Sequence, residues 1–235
     1  MRLDKFFSVT GTLSRSVCAK ECRAGNITCD GRVIRDPSAA IDPENSVITY
    51  KGARILYSEY VYIMMNKPLG YVCSNDEPNE LLVFDLLDGG YSHIDLFTVG
   101  RLDKNTSGLI IITNDGKAAH DALSPKRHVE KKYEFELDEP LSERDRLTLE
   151  AGTVLADGYA TKPCSIQMTD ANSGVIVMSE GKYHQIRRMF ASVSNRVTAL
   201  KRTEFGGIPL DQSLKPGEYR PLTEEEISRF KTRRN

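Results

Sequence analysis

The run Leu109 to Ile112 is an unbroken stretch of leucine and isoleucine set between turn residues, and it constrains the fold more than any other feature. It falls far short of the ~20 residues that cross a bilayer. Opened by Gly108 and closed by Asn114-Asp115-Gly116, it reads as a buried strand from Gly108 to Thr113. Such a strand needs a sheet around it, and the flanking sequence supplies one. Tyr60 to Met65 reads as another buried strand, stopped by Lys67-Pro68. Lys131 to Leu137 alternates, with Tyr133, Phe135 and Leu137 on one face, as a half-buried strand does. Val175 to Met178 adds a further strand. Between these lie helical patterns: Ser142 to Glu150, with Ser142 as cap and Gly152 past the end, and Gln185 to Val193. The second carries Ile186, Met189, Phe190 and Val193 on one stripe and leaves Arg187 and Arg188 off it. Thr223-Glu224-Glu225-Glu226 fits a helix start with a capping box. Residues 60–235 are therefore expected to form one α+β domain, a mixed sheet with flanking helices.

Residues 1–52 read as a separate α+β module, joined by a linker over 53–59. Leu3, Phe6 and Phe7 give an apolar helical face. Ser14 stands where an N-cap would, before a helix over Arg15 to Ala24 that ends at Gly25. Ile27-Thr28-Cys29, an Asp30-Gly31 turn and Val33-Ile34 read as a hairpin, and Val47 to Tyr50 as a last strand.

With 40% hydrophobic and 28% charged residues among 235, the chain is an ordinary folded protein rather than a disordered or collagen-like one. Met1-Arg2-Leu3-Asp4-Lys5 contains no apolar signal core, so a cytoplasmic protein free of membrane is expected. The cysteines, Cys18, Cys22, Cys29, Cys73 and Cys164, are odd in number and include no Cys-x-x-Cys, as expected of reduced thiols. His93, His120, His128 and His184 lack metal-ligand spacing, and Gly116-Lys117 lacks the preceding glycine of a phosphate loop. There is no Gly-x-Gly-x-x-Gly and no Gly-x-Ser-x-Gly, so no metal and no cofactor are expected. The net charge is only −1, but its distribution is uneven. From Gly181 to Thr203 the chain carries Lys182, Arg187, Arg188, Arg196, Lys201 and Arg202 and no acid; Lys126, Arg127, Lys131 and Lys132 form a second basic cluster. Attraction to a polyanion would be local.

Just before the apolar strand, Gly100-Arg101-Leu102-Asp103-Lys104-Asn105-Thr106-Ser107-Gly108 places an acid in a polar, glycine-bounded loop. A buried sheet can fix a carboxylate rigidly there. Read from position alone, Asp103 fits a turn or cap as well as a nucleophile, and Tyr133 fits a core strand tyrosine.

Three motifs and the amino-terminal module carry a family resemblance. Gly100-Arg101-Leu102-Asp103 followed by Thr106-Ser107-Gly108-Leu109, Tyr133 after Glu130-Lys131-Lys132, and Gly181-Lys182-Tyr183-His184-Gln185-Ile186-Arg187-Arg188-Met189-Phe190 resemble the pseudouridine synthases of the RsuA/RluB/E/F type. Residues 1–52 resemble the S4 RNA-binding domain, through the Met-Arg-Leu-Asp-Lys-Phe opening and Arg23-Ala24-Gly25-Asn26-Ile27. Asn66-Lys67-Pro68, Tyr71-Val72-Cys73-Ser74 and Pro216-Gly217-Glu218-Tyr219-Arg220-Pro221 look most like the branch that acts on the small ribosomal subunit. Lys182 stands where many members carry arginine, which keeps the charge and loses the bidentate fork.

The resemblance implies a mixed, mostly antiparallel catalytic sheet and site-specific isomerisation of a uridine to pseudouridine in 16S ribosomal RNA. The same chemistry on large-subunit RNA and a non-catalytic assembly factor are the alternatives. It also implies roles: Asp103 as catalytic carboxylate, Arg187 as its charge partner, Tyr133 against the uracil, and Arg101 filling the space of a flipped base. Arg2, Lys5, Arg15, Lys20 and Arg23 would hold RNA from the first module, and Lys182 and Arg188 from the second. The expected partner is ribosomal RNA, and the expected state a monomer.

Overall fold

The computed structural model describes residues 1–10, 12–55, 57, 60–88, 91, 94–124 and 127–231. These divide into two compact units, residues 1–61, 87–97 and 113–115, and residues 62–86, 98–112 and 116–235.

The first unit holds α1 (Leu3–Val9), α2 (Arg15–Ala24), β1 (Ile27–Cys29), β2 (Arg32–Val33), β3 (Ile48–Tyr50) and β4 (Ala53–Ile55). Ser14 caps α2 by accepting from the Val17 N–H, and Gly25 ends it in the left-handed conformation at φ 81°. Asp30 and Gly31, at φ 50° and 78°, turn β1 antiparallel onto β2, as a two-residue hairpin requires. Leu3, Phe6, Phe7, Cys18, Cys22, Ile27 and Ile48 form the core. Both helical cysteines act there as small apolar side chains, and burial pushes the Cys18 thiol up to about 12. Of the stretch read as a linker, 53–55 form β4, paired with β3, while 56, 58 and 59 lie outside the described residues.

The remaining elements are β5 (Tyr62–Lys67), β6 (Tyr71–Val72), β7 (Leu81–Leu82), β8 (Phe97–Thr98), β9 (Ser107–Thr113), α3 (Gly116–Leu123), β10 (Lys131–Leu137), α4 (Glu143–Ala151), β11 (Ser165–Met168), β12 (Ser173–Met178), α5 (Gln185–Ser192), β13 (Val197–Phe205), β14 (Ile208–Pro209), β15 (Tyr219–Pro221) and α6 (Glu224–Lys231). The main sheet runs β11-β12-β10-β13-β9-β5-β15. Its β11, β12, β10 and β13 neighbours pair antiparallel, and β13 pairs parallel with β9. The sheet is thus mixed and mostly antiparallel.

Tyr133, Phe135 and Leu137 are buried along β10, and Phe135 meets Phe190 of α5 with ring centroids 4.8 Å apart. That contact seats α5 through the apolar stripe of Ile186, Met189 and Phe190. At α6 the capping box forms in full. Thr223 Oγ1 accepts from the Glu226 N–H at 3.3 Å, and Glu226 Oε2 accepts from the Thr223 N–H at 2.8 Å. Among the described residues no helix is long and apolar enough to cross a membrane.

Candidate active site

The Asp103 loop enters β9 at Ser107, where β9 runs beside β13 with Ser107 opposite Lys201 and Gly108 opposite Arg202. Several tethers fix it. Thr106 N–H donates to the Asp103 carbonyl at 3.0 Å, and Gly70 N–H to the Lys104 carbonyl at 2.9 Å. The strongest tether is Lys67, which has no exposed surface. Its ammonium donates to the carbonyls of Pro68 at 3.1 Å, Asp103 at 3.1 Å and Thr106 at 2.8 Å, so all three of its donors are used. Burial pushes Lys67 down to about 8, with Cys73 and Asp103 pulling the other way. In the sequence this lysine reads only as the end of a strand.

Lys67→Met leaves three carbonyls without their donor, which should cost roughly 3 kcal/mol and lower Tm by about 6–12 °C. Between about pH 8 and 10.5 the unfolded chain holds the Lys67 proton more tightly than the folded one. Wild-type stability therefore gains an upward slope with pH across that window, and the variant should lack it. Thermal unfolding of both proteins across that pH range checks the two expectations.

The third motif is equally constrained. Glu180 accepts from the Tyr159 hydroxyl at 2.7 Å, the Lys162 N–H at 2.9 Å and Gln185 Nε2 at 2.8 Å. Burial works to raise the Glu180 carboxyl, and these donors outweigh it, holding the group below its ordinary range. Gln185 Oε1 in turn accepts from the Lys182 N–H at 2.8 Å. The turn so formed holds His184 in the left-handed conformation at φ 48°, with Nε2 3.5 Å from Asp103 Oδ1.

Asp103, Tyr133 and Arg187 line one cleft, together with Arg101, Lys182 and His184. The charge pair expected between Asp103 and Arg187 is replaced by a different arrangement. The Arg187 guanidinium donates to the carbonyls of Val197 at 2.9 Å and Asn105 at 2.7 Å, and so grips the backbone of the Asp103 loop rather than the carboxylate. The fork finds two carbonyls at hydrogen-bond distance between α5 and the loop, which leaves His184 as the ionisable partner of Asp103. His184 sits in the quoted third motif, where its ring nitrogens were the available signal.

Arg101 is exposed at the cleft and makes no hydrogen bond or ion pair to a described residue. Lys182 lies over the Tyr159 ring, 5.1 Å from its centroid. Arg188 pairs with Asp157 at 2.5 Å and does not line the cleft. The acid-free stretch is therefore not one basic face: Arg196 pairs with Asp138, and Arg202 is buried. In the second basic cluster, Lys126 lies outside the described residues, as does His93. Lys5, Arg15, Lys20 and Arg23 are exposed on α1 and α2, and Arg2 pairs with Asp4 at 2.7 Å.

The chain matches the family model described as RNA pseudouridylate synthase over residues 61–192 and the S4 domain model over residues 1–47. It is 40% identical over 231 residues to an uncharacterised RNA pseudouridine synthase, YtzG, of Bacillus subtilis, covering 97% of each chain. Ribosomal small subunit pseudouridine synthase A of Escherichia coli (strain K12) is 40% identical over 230 residues, covering 97% of this chain and 99% of that one. A crystal structure of a pseudouridylate synthase superposes with TM-score 0.69 at 36% identity, covering 98% of this chain and 99% of that chain. With Asp103, Tyr133 and Arg187 inside the matched region and its relatives aligned along nearly their whole length, the chain belongs to the RNA pseudouridylate synthase family and carries an amino-terminal S4 domain.

Proposed function

We propose that the protein isomerises one uridine of small-subunit (16S) ribosomal RNA to pseudouridine, with Asp103 as the catalytic carboxylate. The observation that carries this reading is the convergence of Asp103, Tyr133 and Arg187 on one cleft of a chain similar throughout to a small-subunit synthase. In the reaction the N1–C1′ bond of uridine breaks, a C5–C1′ bond forms on the same uracil, and the C5 proton is finally replaced by one on N1. Nothing is oxidised or reduced. What the chain must supply is a carboxylate beside the ribose and base, a surface that holds the detached uracil, and a rigid frame.

Tyr133 offers its ring to the uracil. Arg187 keeps the loop carrying Asp103 in place through Asn105, and the His184 ring stands 3.5 Å from the carboxylate. A nucleotide inside folded RNA reaches such a cleft only by flipping out, at a cost of a few kcal/mol. Arg101, unengaged at the mouth, suits the space left behind. In this reading the protein works as a monomer in the cytoplasm. Purified protein incubated with small-subunit ribosomal RNA should convert a single uridine; conversion confined to large-subunit RNA would overturn the target assignment.

In this reading residues 1–52 hold RNA through Lys5, Arg15, Lys20 and Arg23, residues 60–235 do the chemistry, and Lys182 and Arg188 add contacts beside the cleft. Replacing the four exposed module cations with Gln should weaken RNA binding. The slope of log affinity against log salt should become shallower by up to about 3, since each phosphate contact contributes roughly 0.7–0.9. An unchanged slope in filter-binding titrations would remove these residues from the interface.

A further inference from the structure

Beside the catalytic cleft lies a second cavity of about 280 Å³, and Arg101, Tyr133 and Lys182 line both. Its wall is rich in cations. Lys131, Lys162 and Arg202 join Arg101 and Lys182, whereas Glu180 is the one acid among the described lining residues. Glu180 already accepts from Tyr159, Lys162 and Gln185.

Arg202 is 2% exposed. Its Nε donates to the Leu109 carbonyl at 2.8 Å, but Nη2 is buried and has no hydrogen-bond partner among the described residues. Lys131 donates to the Val129 carbonyl at 2.8 Å, and both cations flank the Phe205 ring, 5.6 Å and 5.3 Å from its centroid. Burial, reinforced by nearby Arg202, pushes Lys131 down to about 8.

A buried cation with an orphaned donor beside a half-buried one, neither paired with a carboxylate, is costly to maintain in an empty site. An anion with several acceptor oxygens would relieve both costs at once. A phosphodiester has that form: two unbridged oxygens share one charge, and guanidinium and ammonium groups recognise it well. The cavity is also in the right place. A nucleotide whose uracil lies against Tyr133 carries a phosphodiester on each side of its ribose, within reach of a chamber that shares Tyr133.

We propose that this cavity is an anion subsite that holds one phosphodiester flanking the flipped uridine, with Arg202 and Lys131 as its ligands and Lys162 and Lys182 at its rim. This assignment rests on reading the adjoining cleft as the uridine site. Held there, the phosphate fixes the ribose relative to Asp103, and a uridine within an RNA strand is favoured over the free nucleoside.

The test uses the full chain and an RNA fragment containing the converted uridine, made with all phosphates or with a single neutral methylphosphonate on its 5′ or 3′ side. One of the two neutral linkages should slow single-turnover conversion about tenfold or more. Lys131→Met should lose a similar factor on all-phosphate RNA and nothing further on that methylphosphonate RNA. Lys162→Gln, at the exposed rim where folding is not at stake, should show the same non-additivity with a smaller loss. Losses that multiply, or two harmless methylphosphonates, would overturn the proposal.

Titration of labelled protein with inorganic phosphate, followed by NMR, separates the anion site from the isomerase reading. Saturable shifts at Lys131 and Arg202 that Lys131→Met removes support an anion site even if no uridine is converted. Their absence overturns it. Phosphate shifts combined with harmless methylphosphonates would assign the cavity to free phosphate and overturn the phosphodiester.

Discussion

Asp103→Asn is expected to lower pseudouridine formation by more than about 10³-fold while leaving the fold and RNA affinity near wild type. The side chain keeps its shape and one carbonyl oxygen, and what disappears is the anion. The loop should not move, because its anchors are backbone groups. Lys67 holds the carbonyls of Asp103 and Thr106, Arg187 holds that of Asn105, and the carboxylate's side-chain neighbour is the His184 ring, with Nε2 3.5 Å away. Glu225→Gln is the matched control: it removes an exposed acid paired with Arg229 on α6 and should leave turnover unchanged. Single-turnover assays with unfolding curves distinguish a lost nucleophile from a lost fold.

Gly108→Ala is expected to be the most damaging small substitution, costing about 3–5 kcal/mol and roughly 6–20 °C in Tm. Gly108 has φ +99°, and a Cβ there would lie 2.2 Å from the Arg202 carbonyl oxygen and 2.8 Å from its nitrogen. Both atoms are backbone of β13, so only parting β9 from β13 relieves the clash. That movement would carry away the Asp103 loop and Arg202 together, so activity should fall even where the protein remains folded. Gly158→Ala isolates the backbone contribution. Gly158 has φ +82° with nothing within 4 Å of its Cβ position, so it should cost only about 1–2 kcal/mol. Equal losses at the two glycines would contradict the close-approach explanation.

Elements bounded by local chemistry were legible in the sequence. Ser14 and Gly25 mark the ends of α2, and the alternation of Lys131 to Leu137 marks β10 with its buried face. β13 was not legible, although it is central. Its pairing with β10 shifts register twice, which breaks the period of two, and it buries Arg202 where a strand pattern calls for an apolar residue. Helix α3 was hidden because it starts at Gly116, which reads as the close of a turn.

At the site, Asp103 and Tyr133 could be proposed from motifs. The partners could not, because they depend on tertiary geometry. Arg187 reaches carbonyls of residues 197 and 105, and Lys67 works through a charge that sequence patterns place on surfaces. Charge counting misled for the same reason at Arg196, which is turned to Asp138.

The most direct test of the central claim is a nucleotide-resolution map of pseudouridine in ribosomal RNA from cells lacking the gene, complemented with the wild-type or the Asp103→Asn protein. The expected result is one small-subunit uridine that is unmodified in the deletion strain, restored by the wild type and left unmodified by an Asp103→Asn protein present at equal abundance. Restoration by Asp103→Asn, or a small-subunit map unchanged by deletion, would contradict it.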